Sequence, residues 1–192
     1  MTELPIATVL FGALPGVADP LFGWIAAAGL AVLFAHAALA KALDRSLFMQ
    51  HLAAYGLAGR RLAMAVPTLP ALEAVTAVLL LTPWRAAGAL LAGGLLLAYA
   101  AAMALHRARG RTLDCGCGGA PLPVSWALVL RNLLLAMVAG VATLPVSARA
   151  MGIADFLVVA AAVVLGSLLY AALNQLLRHR AAPRNSKTLR SA

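Results

Sequence analysis

Residues 62–105 read LAMAVPTLPALEAVTAVLLL-TPWR-AAGALLAGGLLLAYAAAMAL, two apolar runs joined by Thr82-Pro83-Trp84-Arg85. Each run has about 20 residues, the length that an α-helix needs to cross the hydrocarbon core of a bilayer. A four-residue turn between two such helices makes them antiparallel neighbours. The stretch therefore predicts a transmembrane helical hairpin. The second run is rich in Ala and Gly, which lets helix backbones approach closely in lipid.

Three further apolar runs flank this hairpin, at about residues 21–40, 126–144 and 153–177. With spans at 62–81 and 86–105, they predict an all-α membrane protein of about five transmembrane helices, a four-helix core plus one. Residues 1–177 are expected to form a single helical-bundle domain. The remaining residues, 178–192, are basic and polar and predict a disordered tail.

Composition and charge support the membrane class. The 192 residues are 64% hydrophobic and 11% charged, whereas about a quarter of the residues in soluble proteins are charged. The net charge of +9 does not indicate nucleic-acid binding, because the basic residues lie in the gaps between apolar runs and do not alternate with aromatic residues. The bilayer is the expected partner, and nucleic acid is excluded.

The distribution of Lys and Arg predicts the orientation. Four lie in the connector 41–61, three in the loop 106–125 and five in the tail, whereas Arg85 and Arg149 lie on the other side. The positive-inside rule then places the N-terminus outside and the C-terminus and the loop 106–125 in the cytoplasm, in a bacterial inner membrane. The connector also carries an apolar face, which predicts a helix that lies on the membrane or a solvated surface helix.

The two cysteines of the chain, Cys115 and Cys117, are separated only by Gly116 in the loop 106–125. Adjacent thiols can cycle between dithiol and disulfide, and a strained small-ring disulfide is of the labile, oxidising kind. A metal site is the weaker hypothesis, because zinc prefers four ligands and only His106 and Asp114 are close in sequence. Two ordinary loop thiols are the remaining alternative. We therefore predict that Cys115 and Cys117 are the catalytic pair and that no metal binds.

Ionisable residues inside the spans are the second functional signal, since charges within a bilayer are costly and usually paired. At 1.5 Å per residue, Glu73 lies roughly 16 Å and Arg131 roughly 8–9 Å from the cytoplasmic ends of their spans. We expect Glu73 to pair with Arg131, or with Lys41 as the rival partner. Lys41 and Arg131 have snorkelling as an alternative. His36 is a further polar candidate, although a single histidine is more often a packing residue.

The sequence Asp114-Cys115-Gly116-Cys117-Gly118, followed by Pro123-Val124-Ser125 and Leu130-Arg131-Asn132, resembles the methylamine-utilisation protein MauE family. The order of parts is also similar: a basic residue ends the first span, Glu73 lies in the second, and the thiol loop precedes the Arg-Asn helix. The resemblance covers roughly residues 20–147. One departure is Gly118, where the family commonly has Phe.

The resemblance implies a small DoxX-like membrane protein that assists maturation of the disulfide-rich small subunit of methylamine dehydrogenase, together with a thioredoxin-like partner. Its clients fold outside the cytoplasm, which requires either a cytoplasmic electron donor or a loop that dips into the bundle. Glu73, Arg131, Asn132, Lys41 and His36 are then expected to support the thiols or relay protons.

Three other functions fit the same residues. The chain can be a non-catalytic assembly factor with the loop as a docking site, or a quinone-linked oxidoreductase, in which case quinone is the cofactor. A small-solute carrier is less favoured, because paired interrupted helices are missing from the pattern.

Overall fold

The computed structural model describes residues 19–110, 124–144 and 149–181, and these residues form six α-helices. Five of them are long and the second is short. The helices are α1 (Pro20–Leu43), α2 (Arg45–Ala54), α3 (Gly59–Leu80), α4 (Arg85–Ala108), α5 (Trp126–Thr143) and α6 (Ile153–Ala181). The all-α prediction is confirmed, and each predicted span coincides with one long helix. α6 continues four residues into the predicted tail, whose residues 182–192 lie outside the described part of the chain.

Asp19 and Asp44 set where the first two helices begin. The Asp19 carboxylate accepts a hydrogen bond from the Leu21 amide at 2.9 Å, and Pro20 occupies the first helical position, where its missing N–H costs nothing. The Asp44 carboxylate accepts from the Leu47 amide at 3.0 Å. This second cap lets the chain end α1 and start α2 within one residue.

Four of the long helices form a bundle. α1 packs on α3 and α5, and α4 packs on the same two helices from the opposite corner. α6 lies outside this bundle against α1. This arrangement agrees with the predicted four-helix core plus one.

The core of the bundle is built mostly from small residues. Around Phe34 and Leu30 of α1, the buried cluster contains alanines from α1, α3, α4 and α5. A second, smaller cluster is formed by Ala100, Met103, Val124, Leu128 and Val129, from α4 and the start of α5. Alanine at these positions allows the helix axes to approach closely, so dispersion contacts can hold helices together where lipid competes for apolar surface.

The outer surface of the bundle is apolar. Five helices are long and apolar enough to cross a membrane, and α6 is the least buried of them. Large side chains such as Leu165, Leu168 and Leu169 of α6 are exposed. An apolar surface of this extent needs a lipid environment, and the chain is therefore a multi-pass membrane protein.

The bundle has two chemically different ends. At the loop end, as we call it, α1, α4 and α6 end, α3 and α5 begin, and α2 lies across the connection between α1 and α3. Gly110 and Val124, which flank the undescribed residues 111–123, both belong to this end. The far end carries the starts of α1, α4 and α6.

An exposed ion-pair network joins two helix starts at the far end. The Arg149 guanidinium donates to Asp19 at 2.9 Å and to both carboxylate oxygens of Asp155, at 2.9 and 3.0 Å. The hydrogen bond from Arg149 lowers the pKa of Asp19 below its ordinary value, and the Leu21 amide adds to this effect. The network is solvent-exposed, so it fixes geometry more than it stabilises the fold.

The close approach of α3 and α4 at Gly88 predicts the effect of a single methyl group. A Cβ added at Gly88 of α4 would lie 2.7 Å from the Leu80 backbone nitrogen, whereas one added at Gly94 meets nothing within 4 Å. We expect Gly88→Ala to lower the free energy of unfolding by about 1–3 kcal/mol through overpacking. Gly94→Ala, the matched control, should be neutral or stabilise by up to about 1 kcal/mol. Thermal unfolding in detergent measures both; equal melting temperatures would contradict the packing.

Candidate functional site

Lys41, Glu73 and Tyr99 form a hydrogen-bonded cluster inside the bundle. The Lys41 ammonium donates to both carboxylate oxygens of Glu73, at 2.7 and 2.8 Å. The Tyr99 hydroxyl donates to Glu73 Oε1 at 2.8 Å. Lys41 is 6% exposed and Glu73 is 1% exposed. Three hydrogen bonds from two donor groups thus converge on one carboxylate that has almost no access to solvent.

Helical periodicity explains why these three side chains meet. Lys41 lies on the buried stripe of α1 that also contains Phe34 and Ala38, at spacings of seven and three residues. Glu73 occupies the corresponding stripe of α3, with Ala77 and Leu80 below it. Residues spaced by three, four or seven share one helix face. The polar residues therefore continue the same inward faces that form the apolar core.

Aromatic rings complete the surroundings of the Lys41 ammonium. Its nitrogen lies 5.7 Å from the Phe48 ring centroid and 5.8 Å from that of Tyr99. Phe48 is the buried residue of α2, so the short helix is held to the bundle beside the ion pair. Rings at this distance attract a cation through their quadrupoles. One ammonium group therefore contacts side chains from α2, α3 and α4.

A second polar group lies at the end of α4. His106 is buried, and its ring packs edge-on against Tyr55, with centroids 4.9 Å apart and planes at 73°. Its Nδ1 makes no hydrogen bond within residues 19–110, 124–144 and 149–181. Tyr55 in turn packs against the apolar cluster around Met103. His106 is thus a buried imidazole held by an aromatic contact, five residues before the undescribed segment begins.

Arg131 and Asn132 point to different surroundings although they are neighbours on α5. Arg131 donates to the side-chain oxygen of Asn174 at 3.0 Å, and its guanidinium lies 5.4 Å from the Tyr170 ring centroid. Both partners belong to α6. Asn132 is 3% exposed and faces the bundle. Arg131 therefore links α6 to the four-helix core at the loop end, and Asn132 contributes a buried amide.

The structure places the predicted site residues as follows. Glu73 pairs with its rival partner Lys41, and the alternative pairing with Arg131 is wrong because Arg131 turns outward to α6. Lys41 is buried, so it does not snorkel. His36 lies on the exposed face of α1, since a separation of five residues turns it about 140° away from Lys41. Cys115 and Cys117 lie outside the described residues.

Tyr99 and Asn174 join these sites without having been selected from the sequence, whereas His106 was named there only as a nearby residue for the weaker metal hypothesis. One signal was present: a glutamate within a span requires donors, and Tyr99 is a hydrogen-bond donor within the neighbouring span. No comparable signal marked Asn174. Within the described ranges, no group of three His, Cys, Asp or Glu side chains is arranged to hold a metal ion.

The fold and this cluster define a class: polytopic helical membrane proteins with a charge pair buried in the bundle core. A family model described as methylamine utilisation protein MauE matches residues 19–145, more than half of the chain. The chain belongs to the MauE family.

Three relatives, each named methylamine utilization protein MauE, are similar over most of their length. The protein from Paracoccus denitrificans is 42% identical over 129 residues, covering 63% of this chain and 68% of the relative. The Paracoccus versutus protein is 39% identical, covering 79% and 83%, and that of Methylophilus methylotrophus is 35% identical, covering 81% and 86%. No solved structure is significantly similar to the chain.

The buried pair predicts an asymmetry between single and double variants. Lys41→Met leaves the Glu73 carboxylate, and Glu73→Gln leaves the Lys41 ammonium, buried without an opposite charge. Such a loss typically lowers the free energy of unfolding by about 3–5 kcal/mol. Lys41→Met combined with Glu73→Leu removes both and should recover most of that loss. Tyr99→Phe removes one donor to a carboxylate, with an expected cost of about 1.5–3 kcal/mol.

Thermal unfolding of the purified variants in one detergent checks this order. His36→Gln, on the exposed face of the same helix, is the matched control and should melt like the unaltered protein. A double variant less stable than either single variant would contradict the pairing.

Proposed function

We propose that this chain is a membrane thiol–disulfide redox protein of methylamine utilisation, in which Cys115 and Cys117 cycle between dithiol and disulfide. The observation that carries the proposal is the pair of thiols one residue apart in a single loop. The anchors of that loop, Gly110 and Val124, belong to the end of the bundle that holds the buried polar clusters. The family membership gives the pathway, through the name that its relatives share.

The exchange step balances as follows. The thiolate of one cysteine attacks a disulfide of a partner protein, which gives a mixed disulfide and one partner thiolate. The second cysteine attacks the mixed disulfide and releases the other partner thiolate. Two electrons pass to the partner, whose thiolates take up the protons lost by the two cysteines. A thioredoxin-like protein then returns two electrons and restores the dithiol.

The surrounding charges support this chemistry in the proposal. Arg107 and Arg109, exposed at the end of α4, carry positive charge next to the loop and favour thiolate over thiol. The Lys41–Glu73–Tyr99 cluster fixes α1 and α3 against α4, the helix that precedes the loop, and supplies groups that exchange protons. Arg131 and Asn132 hold α5, the helix that follows the loop, in place.

The client and location follow from the family resemblance and the charge distribution. We propose that the disulfide-rich small subunit of methylamine dehydrogenase is the client. The chain lies in the bacterial inner membrane with its N-terminus outside and its loop end toward the cytoplasm. Because this client folds outside the cytoplasm, the partner whose disulfide the cysteine pair reduces is a separate thiol protein that passes the two electrons on to the client, and a cytoplasmic donor restores the dithiol.

A non-catalytic docking role is the second candidate, and one observation favours it. The loop end exposes five arginines from α2, α3 and α4, and this surface suits an acidic partner. The five are Arg45, Arg60, Arg61, Arg107 and Arg109.

Single cysteine variants separate the two candidates. We expect Cys115→Ser or Cys117→Ser to accumulate a mixed disulfide with a partner, because the remaining thiol can attack but nothing resolves the adduct. Cells are quenched with acid and alkylated, and the purified protein is examined by non-reducing gel and mass spectrometry. The adduct should disappear on reduction, and methylamine dehydrogenase maturation should fall to the level of a strain lacking the chain.

The control is the double variant Cys115→Ser with Cys117→Ser, which has no thiol and should form no adduct. If this double variant supports full maturation, the redox proposal is wrong and the docking role is favoured. Absence of an adduct in both single variants also counts against exchange.

A further inference from the structure

A cavity of about 410 Å³ lies at the far end of the bundle, away from the proposed thiol chemistry. Its walls come from the start of α1, the turn between α3 and α4, and the end of α5. Small-ligand sites usually have volumes of roughly 300–1,000 Å³. The lining side chains that the argument uses are Trp24, Thr82, Arg85, Thr143 and Leu144.

Arg85 is the charged group of this cavity. Its guanidinium lies 5.4 Å from the Trp24 ring centroid, so the ring holds one face of the planar group. Among the described residues no carboxylate pairs with Arg85, whereas Arg149 at the same end is bonded to both Asp19 and Asp155. The N–H groups at the edge of the Arg85 fork are therefore available to a ligand.

Arg85 is the cationic donor of the cavity, and the hydroxyls of the two threonines that line it are already engaged. The Thr82 hydroxyl donates to the Leu79 carbonyl at 2.9 Å, and the Thr143 hydroxyl donates to the Gly140 carbonyl at 2.7 Å. A ligand held here must accept hydrogen bonds from a guanidinium. Phosphate oxygens do this with the geometry of the planar fork.

The position of the cavity along the bundle axis indicates which kind of phosphate-bearing ligand can reach it. It lies where α3 ends and α4 begins, and Trp84 beside it is 71% exposed. Tryptophan and arginine at the ends of membrane spans mark the headgroup region of the bilayer. Leu144, also exposed, gives the cavity an apolar wall. A headgroup phosphate meets Arg85 here, and its acyl chains have apolar surface to lie on.

We propose that this far-end cavity binds the headgroup of an anionic phospholipid, with the phosphate on Arg85 and Trp24 stacked behind the guanidinium. The site is independent of the cysteines and of the thiol loop.

Lipid-dependent thermal unfolding tests the proposal. Purified protein in a neutral detergent is titrated with phosphatidylglycerol, phosphatidylcholine or inorganic phosphate. We expect phosphatidylglycerol to raise the melting temperature by about 5 °C when its concentration is near one hundred times its dissociation constant. Arg85→Gln should weaken the affinity by about tenfold or more, as expected for loss of a charge-assisted hydrogen bond. Arg85→Lys, which keeps the charge but loses the fork, should be intermediate.

Arg149→Gln is the matched control, because it removes an arginine of the same end whose donors are already used. Its starting melting temperature should change little, because the Arg149 network is solvent-exposed, and its response to phosphatidylglycerol should be unchanged. An equal response to phosphatidylcholine or inorganic phosphate would overturn the anionic-lipid assignment. A response that survives in Arg85→Gln would overturn the site. The double cysteine variant should respond like the unaltered protein, so this test is separate from the redox proposal.

Discussion

The hydrogen-bonded pair of Lys41 and Glu73 is the constraint around which the bundle is organised. Each charge needs the other, since an uncompensated charge in an apolar core costs several kcal/mol. Their union fixes the end of α1 against the middle of α3. Tyr99 adds α4, and the aromatic contact of Phe48 with the ammonium adds α2. The alanine-rich core below the pair supplies close packing, but alanines by themselves specify register weakly. The ion pair supplies that specificity.

This constraint divides the molecule into two chemical halves. The half of the bundle toward the loop end contains the charge pair, the buried imidazole of His106 and the Arg131 bridge to α6, and both residues that flank the thiol loop, Gly110 and Val124, belong to it. The far end has an exposed ion-pair network at Arg149 and an arginine–tryptophan cavity that we assign to lipid. In our proposals, a single bundle thus carries thiol chemistry at one end and a lipid headgroup contact at the other.

Much of the fold was predictable from sequence because lipid imposes strong length and composition limits on a helix. The spans at 62–81 and 86–105 appear as α3 and α4, and the peripheral position of the last span is also found. Helix ends were less accurate: α4 extends to Ala108, because His106 and Arg107 are basic residues of a kind favoured in the last turn of a helix. The predicted pairing of Glu73 with Arg131 was wrong because the number of residues from the end of a span gives depth in the membrane but not the direction in which a side chain points. His36 illustrates the same limit, since it lies in the same half of α1 as Lys41 but on the exposed face of the helix.

The central claim is that two neighbouring thiols at the loop end change oxidation state during function. Alkylation with a membrane-impermeant maleimide, in intact and in permeabilised cells, with and without prior reduction, tests it most directly when maleimides per chain are counted by mass. The account predicts no labelling in intact cells, and after permeabilisation a disulfide fraction that becomes labelled at Cys115 and Cys117 only upon reduction. That fraction should grow when the electron donor is removed. Thiols that label fully without reduction, whatever the donor supply, would contradict the account.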